Sequence, residues 1–302
     1  MLSIELGRLP DKFTVQTGLS EKVFKRYSRL LDWFEREKSV IIAFSGGVDS
    51  SVVAAVAFVA LGKSALAVTT NSSTFSDSDL TEAKTLAKSI GIRHLVVSFD
   101  ELSNPDFFNN SPQRCYFCRE ELVKVLTKVA NDHSISAIVD GTNMDDLNVH
   151  RPGVLALRKG GVRSPLIDCG IGKADVRAIA KALGLPNADK PSNACLASRF
   201  PYGQIITRDK MDRVAQAEDI VKIISGTKQV RVRDHGDIAR IEVGKDERNS
   251  FFDESIMDLI HQRLRKLGYS YVTLDLAGYR SGSMDETLEV KIIPSESHKQ
   301  ES

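Results

Sequence analysis

The sequence predicts an α/β protein, in which a doubly wound, mainly parallel sheet is followed by a smaller C-terminal α+β domain. Three observations lead to this prediction. Apolar, β-branched runs alternate with helix-like runs as far as Leu183, and the first run breaks into a Ser/Gly-rich turn before an Ala-rich helix. Beyond about residue 204 the order changes to helix, strand, strand, helix, strand. Parallel sheets of this kind collect their ligands beyond the carboxyl ends of the strands.

The predicted elements follow one another along the chain in a regular order. A packing helix is predicted from about Glu21 to Lys38, ahead of a first strand that begins at Val40. The first domain, residues 1–204, continues with strands at 65–70, 92–98 and 137–140 and helices at 80–90, 120–133 and 175–183. The second domain, residues 205–294, is predicted to contain helices at 209–224 and 255–267 and strands at 228–233, 237–243 and 269–276. Residues 295–302 are expected to be disordered.

The turn after the first strand predicts an anion site. Two glycines allow a tight turn and a close approach to phosphate, and the following helix directs free N–H groups and a partial positive charge at it. No lysine follows the glycines, which excludes a Walker-type loop. The candidate phosphate-binding residues, with hydroxyl donors among them, are Ser45, Gly46, Gly47, Val48, Asp49, Ser50 and Ser51.

This turn resembles the PP-loop of the ATP pyrophosphatases. The resemblance implies that ATP is cleaved between its α- and β-phosphates and that AMP is left on a carboxylate or carbonyl oxygen. Polar runs at 69–76 and 140–146 follow the second and fourth strands, so Asn71 and Gly141 are candidate adenosine contacts and Asp145 and Asp146 candidate magnesium contacts. Solvated loops with helix-capping residues are the open alternative.

Composition limits the class of protein. The chain has 302 residues, and 41 basic residues against 40 acidic ones give a net charge of +1. This balance argues against a broad nucleic-acid surface, which requires a basic excess or patch. The sequence shows no stretch typical of a membrane span or a secretion signal, so we expect a cytoplasmic protein.

Three of the four cysteines suggest a metal or cluster site. Cys115 and Cys118 form a C-x-x-C, whose spacing brings both thiols to the same side of a turn, and Cys195 lies among polar and charged residues. Three thiolates would leave one position of a 4Fe-4S cluster open. Zinc and simple packing remain alternatives, and Cys169 is expected to be a buried packing cysteine.

A charged hairpin is the third candidate feature. Period-two spacing places Arg231 and Arg233 on one face of a strand and Ile238, Arg240 and Glu242 on one face of the next. If these faces coincide, the arginines form a site for phosphate or carboxylate, which a guanidinium binds through two parallel hydrogen bonds. A solvent face with scattered ion pairs is the alternative.

Taken together, several motifs resemble the LarE-type sulfurtransferases over about residues 20–288. They are the Ser-Gly-Gly-Val-Asp-Ser-Ser loop, Arg151-Pro152-Gly153, the run from Ser198 to Gly203, Val-Arg-Val-Arg at 230–233, the run 237–242, the run 268–276 and the run 279–282. The resemblance implies adenylation of pyridinium-3,5-biscarboxylic acid mononucleotide with ATP and Mg²⁺, conversion to the thiocarboxylate, and a product used in the nickel-pincer nucleotide cofactor. It also implies roles for individual residues. Arg231 and Arg233 would hold the substrate phosphate, and Glu218 and Glu242 would lie in the same pocket. Ser198 and Arg199 would border the reacting carboxylate, and Asp49 would help to orient ATP or its metal.

The family divides by the source of sulfur. Members with a single cysteine at the position of Cys195 give up its sulfur and are left with dehydroalanine. Members with an added C-x-x-C resemble this chain and imply a 4Fe-4S cluster on Cys115, Cys118 and Cys195, which carries the sulfide to be transferred; this interpretation is preferred.

Two alternatives to this function remain open. They are a tRNA thiolation enzyme and a non-catalytic module that binds a nucleotide with iron-sulfur or zinc. The expected partners are a small-molecule substrate, an unidentified sulfide donor and further copies of the chain in a homo-oligomer, with no membrane and no nucleic acid.

Overall fold

The computed structural model describes residues 18–148, 152–191, 195–280 and 282–286. The chain divides into two compact units, the first ending at Cys195 and the second beginning at Leu196, whereas the sequence predicts a boundary near residue 204. The predicted tail at 295–302 lies outside the described residues, as do Arg151 and Ser281 of the motifs above.

The first unit alternates strands with helices. The strands are β1 (Val40–Ala43), β2 (Ala65–Asn71), β3 (Arg93–Ser98) and β4 (Ala137–Val139). The helices are α1 (Glu21–Glu35), α2 (Val48–Leu61), α3 (Asp77–Ile90), α4 (Pro105–Phe108), α5 (Arg114–Asp132), α6 (Pro152–Lys159), α7 (Pro165–Asp168) and α8 (Lys173–Ala182). The strands form one parallel sheet in the order β3-β2-β1-β4.

Helices cover both faces of this sheet. Val40 and Ile42 of β1 belong to a core that includes residues of α1, α2 and α8, whereas Ile41 belongs to a second core with Leu66 and residues of α5. Alternate side chains of a strand point to opposite faces, so a strand that is apolar throughout needs cover on both sides. The predicted doubly wound α/β fold is confirmed.

The first helix shows how sequence sets an element. The Ser20 hydroxyl accepts a hydrogen bond from the backbone N–H of Val23 at 3.5 Å and caps α1. Its buried residues, which recur three and four positions apart along one face, are Tyr27, Leu30, Leu31 and Phe34. Burial of one such side chain contributes about 1.5–3 kcal/mol, so this stripe fixes α1 against the sheet.

The second unit has a different architecture. Its described elements are α9 (Arg208–Ser225), β5 (Val230–Asp234), β6 (Ile238–Val243), α10 (Glu254–Lys266) and β7 (Tyr271–Leu274). Strand β5 pairs with β6 antiparallel and β7 joins β6 in parallel, so this small sheet is mixed. The observed order of helix, strand, strand, helix, strand is the predicted one.

Helix α5 begins earlier than predicted, and α4, α6 and α7 were not predicted. Helix α5 starts at Arg114 rather than near residue 120, so the C-x-x-C lies in its first turns and not in an irregular turn. The polar and aromatic residues of this segment lack an apolar helical period, which is why the sequence pattern missed them. No helix in the described part of the chain is long and apolar enough to cross a membrane.

Candidate active site

The phosphate loop, residues 45–47, connects β1 to α2. Gly47 is the N-cap of α2, and Gly46 has a φ of 69°. A Cβ at Gly46 would also lie 3.1 Å from the Cα of Ala83 in α3. Glycine is therefore required there for conformation and for space. Free N–H groups of the first turn of α2 follow the loop, as an anion site needs.

The loop hydroxyls bond mainly within the loop. Ser50 and Ser51 donate to the carbonyl of Gly47 at 3.1 and 2.8 Å, and the backbone N–H of Gly47 donates to the Ser45 hydroxyl at 3.3 Å. Asn187 adds support from a distant segment, because its amide nitrogen donates to Gly46 O and to Ser51 Oγ, both at 3.0 Å. These hydroxyls shape the loop, and phosphate contacts through them stay a prediction.

The sheet order brings the loops after β1 and β4 together. These strands are neighbours in the sheet, and Gly141 packs so closely on α2 that a Cβ there would lie 2.7 Å from the backbone nitrogen of Ser50. The Asn143 amide donates to Asp49 at 3.1 Å, and Lys173 forms an ion pair with the other Asp49 oxygen. Gly141 thus serves close packing, and Asp49 is held by two partners that the sequence analysis did not identify.

The acidic run after β4 acts chiefly as caps and turns. Asp140 accepts hydrogen bonds from Thr142 and from Ser164, the latter at 2.7 Å. Asp146 accepts the backbone N–H of Asn143 at 3.0 Å, and Asp145 accepts that of Lys173. This arrangement favours the capping alternative over magnesium binding for these residues.

The loop after β2 donates a hydrogen bond to a buried carboxyl group. Asn71 pairs with Ser98 in the sheet and has a solvent-exposed side chain. Three residues later the backbone N–H of Thr74 donates to Glu101 Oε1 at 2.7 Å. Glu101 is fully buried, its Oε2 has no hydrogen-bond partner among the described residues, and burial raises its pKa. Glu101 follows the end of β3, but no motif in the sequence marks it as a candidate, because its partner Thr74 lies 27 residues away.

The three candidate cysteines all belong to the first unit. Cys115 and Cys195 are exposed and Cys118 is half-buried. Burial raises the pKa of Cys118 to about 12; nearby Arg119 opposes this shift, and Cys195, Glu101 and Cys115 add to it. Cys195, from a segment far away in sequence, is thus one of the groups whose charge acts on Cys118.

The three thiols are of the ligand type found in iron-sulfur clusters. Thiolate is the ligand that such clusters use. Within the described residues, however, no three metal-ligating side chains are arranged so that they could hold a metal ion. Cys169 lies in the hydrophobic core, where burial, followed by the charge of Asp168, raises its pKa to about 11. Its predicted role in packing is confirmed.

In the second unit, Arg199 and Glu218 form a buried, bidentate ion pair. Arg199 Nε and Nη2 donate to the two carboxylate oxygens at 2.7 and 3.0 Å, and Val232 N–H donates to Oε1 at 3.0 Å. Burial acts to raise the pKa of Glu218, but the charge and hydrogen bonds of Arg199 outweigh it and the pKa is lowered. Ser198 accepts a further hydrogen bond from Arg199 Nη1 at 3.0 Å.

A second buried pair lies on the hairpin. Arg233 Nη2 donates to Glu242 Oε2 at 2.6 Å and to the Ser283 hydroxyl at 3.0 Å, while Nη1 donates to the carbonyl of Ser198 at 2.9 Å. Register places Arg231 opposite Glu242 and Arg233 opposite Arg240, so the predicted charged faces coincide. The alternative of a solvent face is wrong, because Arg231 and Arg233 are each 4% exposed and Glu242 is fully buried.

We call Arg199, Glu218, Arg231, Arg233 and Glu242 the arginine cluster. These five side chains are buried, and among them the guanidiniums outnumber the carboxylates three to two. Burial, and after it the charge of Arg199, lowers the pKa of Arg231 to about 10. The Arg231 guanidinium also lies 5.4 Å from the centre of the Tyr279 ring. A bound anion would offset the surplus of guanidiniums.

Comparison with known proteins identifies the family of this chain. A family model described as NAD synthase matches residues 32–122. An uncharacterized protein of Synechocystis is 41% identical over 87% of this chain and 98% of its own length. The pyridinium-3,5-bisthiocarboxylic acid mononucleotide synthase of Lactiplantibacillus plantarum is 38% identical over 82% of this chain and 90% of its own length.

More distant relatives share part of the chain. The tRNA-specific 2-thiouridylase of Xanthobacter autotrophicus is 26% identical over 61% of this chain and 57% of its own length. The similarity to the Lactiplantibacillus protein, by contrast, extends across both units. With its lysine-free phosphate loop, the chain belongs to the LarE-type ATP-dependent sulfurtransferases of the PP-loop ATP pyrophosphatase superfamily.

Proposed function

We propose that this enzyme adenylates the carboxylates of pyridinium-3,5-biscarboxylic acid mononucleotide and converts them to thiocarboxylates for the nickel-pincer nucleotide cofactor. One observation carries the proposal: a single compact unit contains both the lysine-free phosphate loop and the thiols of Cys115, Cys118 and Cys195. Activation by ATP and a source of sulfur are the two requirements of this reaction. The name of the Lactiplantibacillus relative supports the choice of acceptor.

The first step is transfer of AMP. The loop of residues 45–47 and the first turn of α2 bind the phosphates of ATP, and Mg²⁺ offsets part of their charge. A carboxylate oxygen of the substrate attacks the α-phosphorus, the bond to the bridging oxygen breaks, and pyrophosphate leaves. Asn71 and Gly141 are proposed to border the adenosine, as the strand ends on which they lie suggest.

The second step replaces oxygen with sulfur. A sulfur nucleophile attacks the activated carbonyl and AMP leaves, which is a far better leaving group than oxide. Arg231 and Arg233 bind the substrate phosphate, because guanidiniums outnumber carboxylates in the buried arginine cluster. Glu218 orients Arg199 and Glu242 orients Arg233, and Ser198 with Arg199 borders the reacting carboxylate.

We further propose that Cys115, Cys118 and Cys195 hold a 4Fe-4S cluster. A cluster on three thiolates supplies an iron position open to exogenous sulfide. Support comes from the number of thiols and from the effect of Cys115 and Cys195 on Cys118. We place the enzyme in the cytoplasm, where reducing conditions keep thiols free. We also expect a homo-oligomer, which light scattering would check.

Iron and acid-labile sulfide in protein purified without oxygen test the cluster. Both should be present in the wild type and in the matched control Cys169→Ala, whose thiol is buried in the core. Both should be lost in Cys115→Ala, Cys118→Ala and Cys195→Ala. Colourless protein with stoichiometric zinc would rule the cluster out. Dehydroalanine at position 195 after one sulfur per chain would indicate instead that Cys195 is consumed.

Pyrophosphate release tests the reaction. Protein given ATP and Mg²⁺ should release pyrophosphate only when the pyridinium dicarboxylate nucleotide is present. tRNA is the second acceptor to try, because some relatives are tRNA-specific 2-thiouridylases. Release that depends on tRNA would favour the thiolation of RNA. ATP binding without release for either acceptor would indicate a non-catalytic module.

A further inference from the structure

Asn187 joins the phosphate loop to the segment that follows α8. Its side-chain nitrogen donates to the carbonyl of Gly46 and to Ser51 Oγ, both at 3.0 Å. The side chain is 6% exposed, and its Oδ1 is buried without a hydrogen-bond partner among the described residues. A buried oxygen that lacks a partner destabilises a fold. Stability alone therefore does not account for an asparagine at this position.

Both partners of Asn187 need a donor. The Gly46 carbonyl can only accept, and the Ser51 hydroxyl gives its own proton to the Gly47 carbonyl at 2.8 Å, so it also accepts from Asn187. Only the NH₂ end of an amide fits between these two oxygens. The side chain thus holds the Gly46 carbonyl directly and the Gly47 carbonyl through Ser51.

The contact with Asn187 fixes the peptide unit between Gly46 and Gly47. In a planar trans peptide, the C=O and the N–H point in opposite directions. The carbonyl of the buried residue Gly46 is held in the interior, so the Gly47 N–H points the other way, toward the hydroxyl of the exposed residue Ser45 at 3.3 Å. A backbone N–H on this outer side of the loop is a donor for a phosphate oxygen.

Two glycines make this peptide unit free to rotate. A half-turn of its plane changes ψ of Gly46 and φ of Gly47, and neither residue has a Cβ that would oppose the change. After such a rotation a carbonyl oxygen, with its partial negative charge, would face the phosphate. The hydrogen bond from Asn187 opposes the rotation, because the rotated carbonyl would lose it.

We propose, on the basis that MgATP occupies the loop as in the proposed function, that Asn187 is a positioning residue of the ATP site. It locks the peptide between Gly46 and Gly47 with its N–H toward the phosphates. Asn187 is buried and acts only through the backbone of the loop. Its effect is therefore confined to ligands that carry phosphate, such as MgATP and free pyrophosphate.

Calorimetric titration with pyrophosphate and Mg²⁺ tests this role. Asn187→Leu has nearly the same size but no donor, so its affinities for pyrophosphate and for MgATP should fall about 10- to 100-fold, as on the loss of a hydrogen bond to a charged group. Its affinity for adenosine, which has no phosphate, should equal that of the wild type by ligand-observed NMR. Asn187→Asp keeps the shape but turns an oxygen toward the Gly46 carbonyl, so it should bind pyrophosphate at least as weakly.

Arg177→Met is the matched control. Arg177 donates to the carbonyls of Ala188 and Lys190 at 3.1 and 3.2 Å, so it supports the segment that contains Asn187 rather than the loop itself. Pyrophosphate affinity in this variant should equal that of the wild type. Wild-type pyrophosphate affinity in both Asn187 variants would overturn the proposal. So would an equal loss of adenosine affinity, or an equal loss in Arg177→Met, since either result indicates general support of the fold.

Failure of the proposed function gives a different result. If neither the wild type nor Arg177→Met binds pyrophosphate or MgATP, the loop is not an ATP site, and the role of Asn187 falls with it. If both bind and the two Asn187 variants bind equally well, only the role of Asn187 is removed. Pyrophosphate binding that depends on Asn187, without adenylation of the pyridinium nucleotide, would overturn the proposed substrate and support the lock on the loop.

Discussion

Glu101 and Glu218 are two buried carboxyls with opposite surroundings. Glu101 in the first unit is fully buried, receives a backbone N–H, and has a pKa that burial raises. Glu218 in the second unit is 4% exposed, and Arg199, acting against burial, lowers its pKa. Burial alone therefore does not set the charge of a carboxyl, and its partner decides.

The comparison extends to the regions around them. Glu101 receives a backbone N–H on one oxygen and has no hydrogen-bond partner on the other among the described residues. The arginine cluster instead pairs both of its carboxylates with guanidiniums, which outnumber them. Under the proposed function, the first region would carry the chemistry on sulfur and phosphate, and the second would hold the substrate phosphate.

Removal of Arg199, the ion-pair partner of Glu218, should have the largest effect on stability. Arg199→Met leaves a buried carboxylate unpaired, which we expect to lower the free energy of unfolding by about 3–5 kcal/mol. Urea denaturation of the variant measures the loss. Lys25→Met, which breaks an exposed pair with Glu21, is the control and should change little. A wild-type midpoint for Arg199→Met would contradict the importance given to the buried pair.

The arginine cluster predicts a separation of binding from stability. Arg231→Met keeps an apolar side chain in the buried site, so the loss of stability should be smaller than that of Arg199→Met, which breaks a bidentate ion pair. The affinity of Arg231→Met for the pyridinium mononucleotide should fall about 10- to 100-fold, as expected when charge-assisted hydrogen bonds are lost. Calorimetric titration measures the affinity. Unchanged affinity would show that the phosphate binds elsewhere.

The phosphate loop predicts a steric effect that can be isolated. Gly46→Ala adds a Cβ at a φ of 69° and 3.1 Å from Ala83, and should cost about 1–3 kcal/mol and weaken ATP binding. Gly161→Ala has a similar φ of 78° but open space around its Cβ, so it should cost less and leave ATP binding intact. Equal ATP affinities in the two variants would refute a phosphate site at Gly46.

The raised pKa of Glu101 predicts the smallest effect, which is a dependence of stability on pH. Because the folded state raises this pKa, the stability linked to Glu101 is present at low pH and is lost as pH rises through the folded pKa. Glu101→Gln resembles the neutral form, so its Tm relative to the wild type should rise as pH increases above the ordinary carboxyl range. Glu218 has the opposite sign and stabilises at higher pH. A difference in Tm that does not vary with pH would contradict the raised pKa.

The features that were predicted correctly are those that local sequence patterns determine. The phosphate loop, the doubly wound sheet and the coincidence of Arg231 with the Glu242 face follow from glycine chemistry and from periods of two and 3.6 residues. Lys173 and Glu101 escaped because their partners, Asp49 and Thr74, are far away in sequence. Such pairs depend on strand order and loop path, which a single sequence does not encode in any short motif.

The most direct test of the central claim is a stoichiometry. Anaerobic enzyme with ATP, Mg²⁺, a sulfide supply and the pyridinium dicarboxylate nucleotide should form one AMP and one pyrophosphate for each carboxylate oxygen that mass spectrometry finds replaced by sulfur. That equality would show that the phosphate loop prepares a carboxylate for sulfur. Formation of ADP, or of AMP and pyrophosphate without any sulfur in the nucleotide, would contradict it.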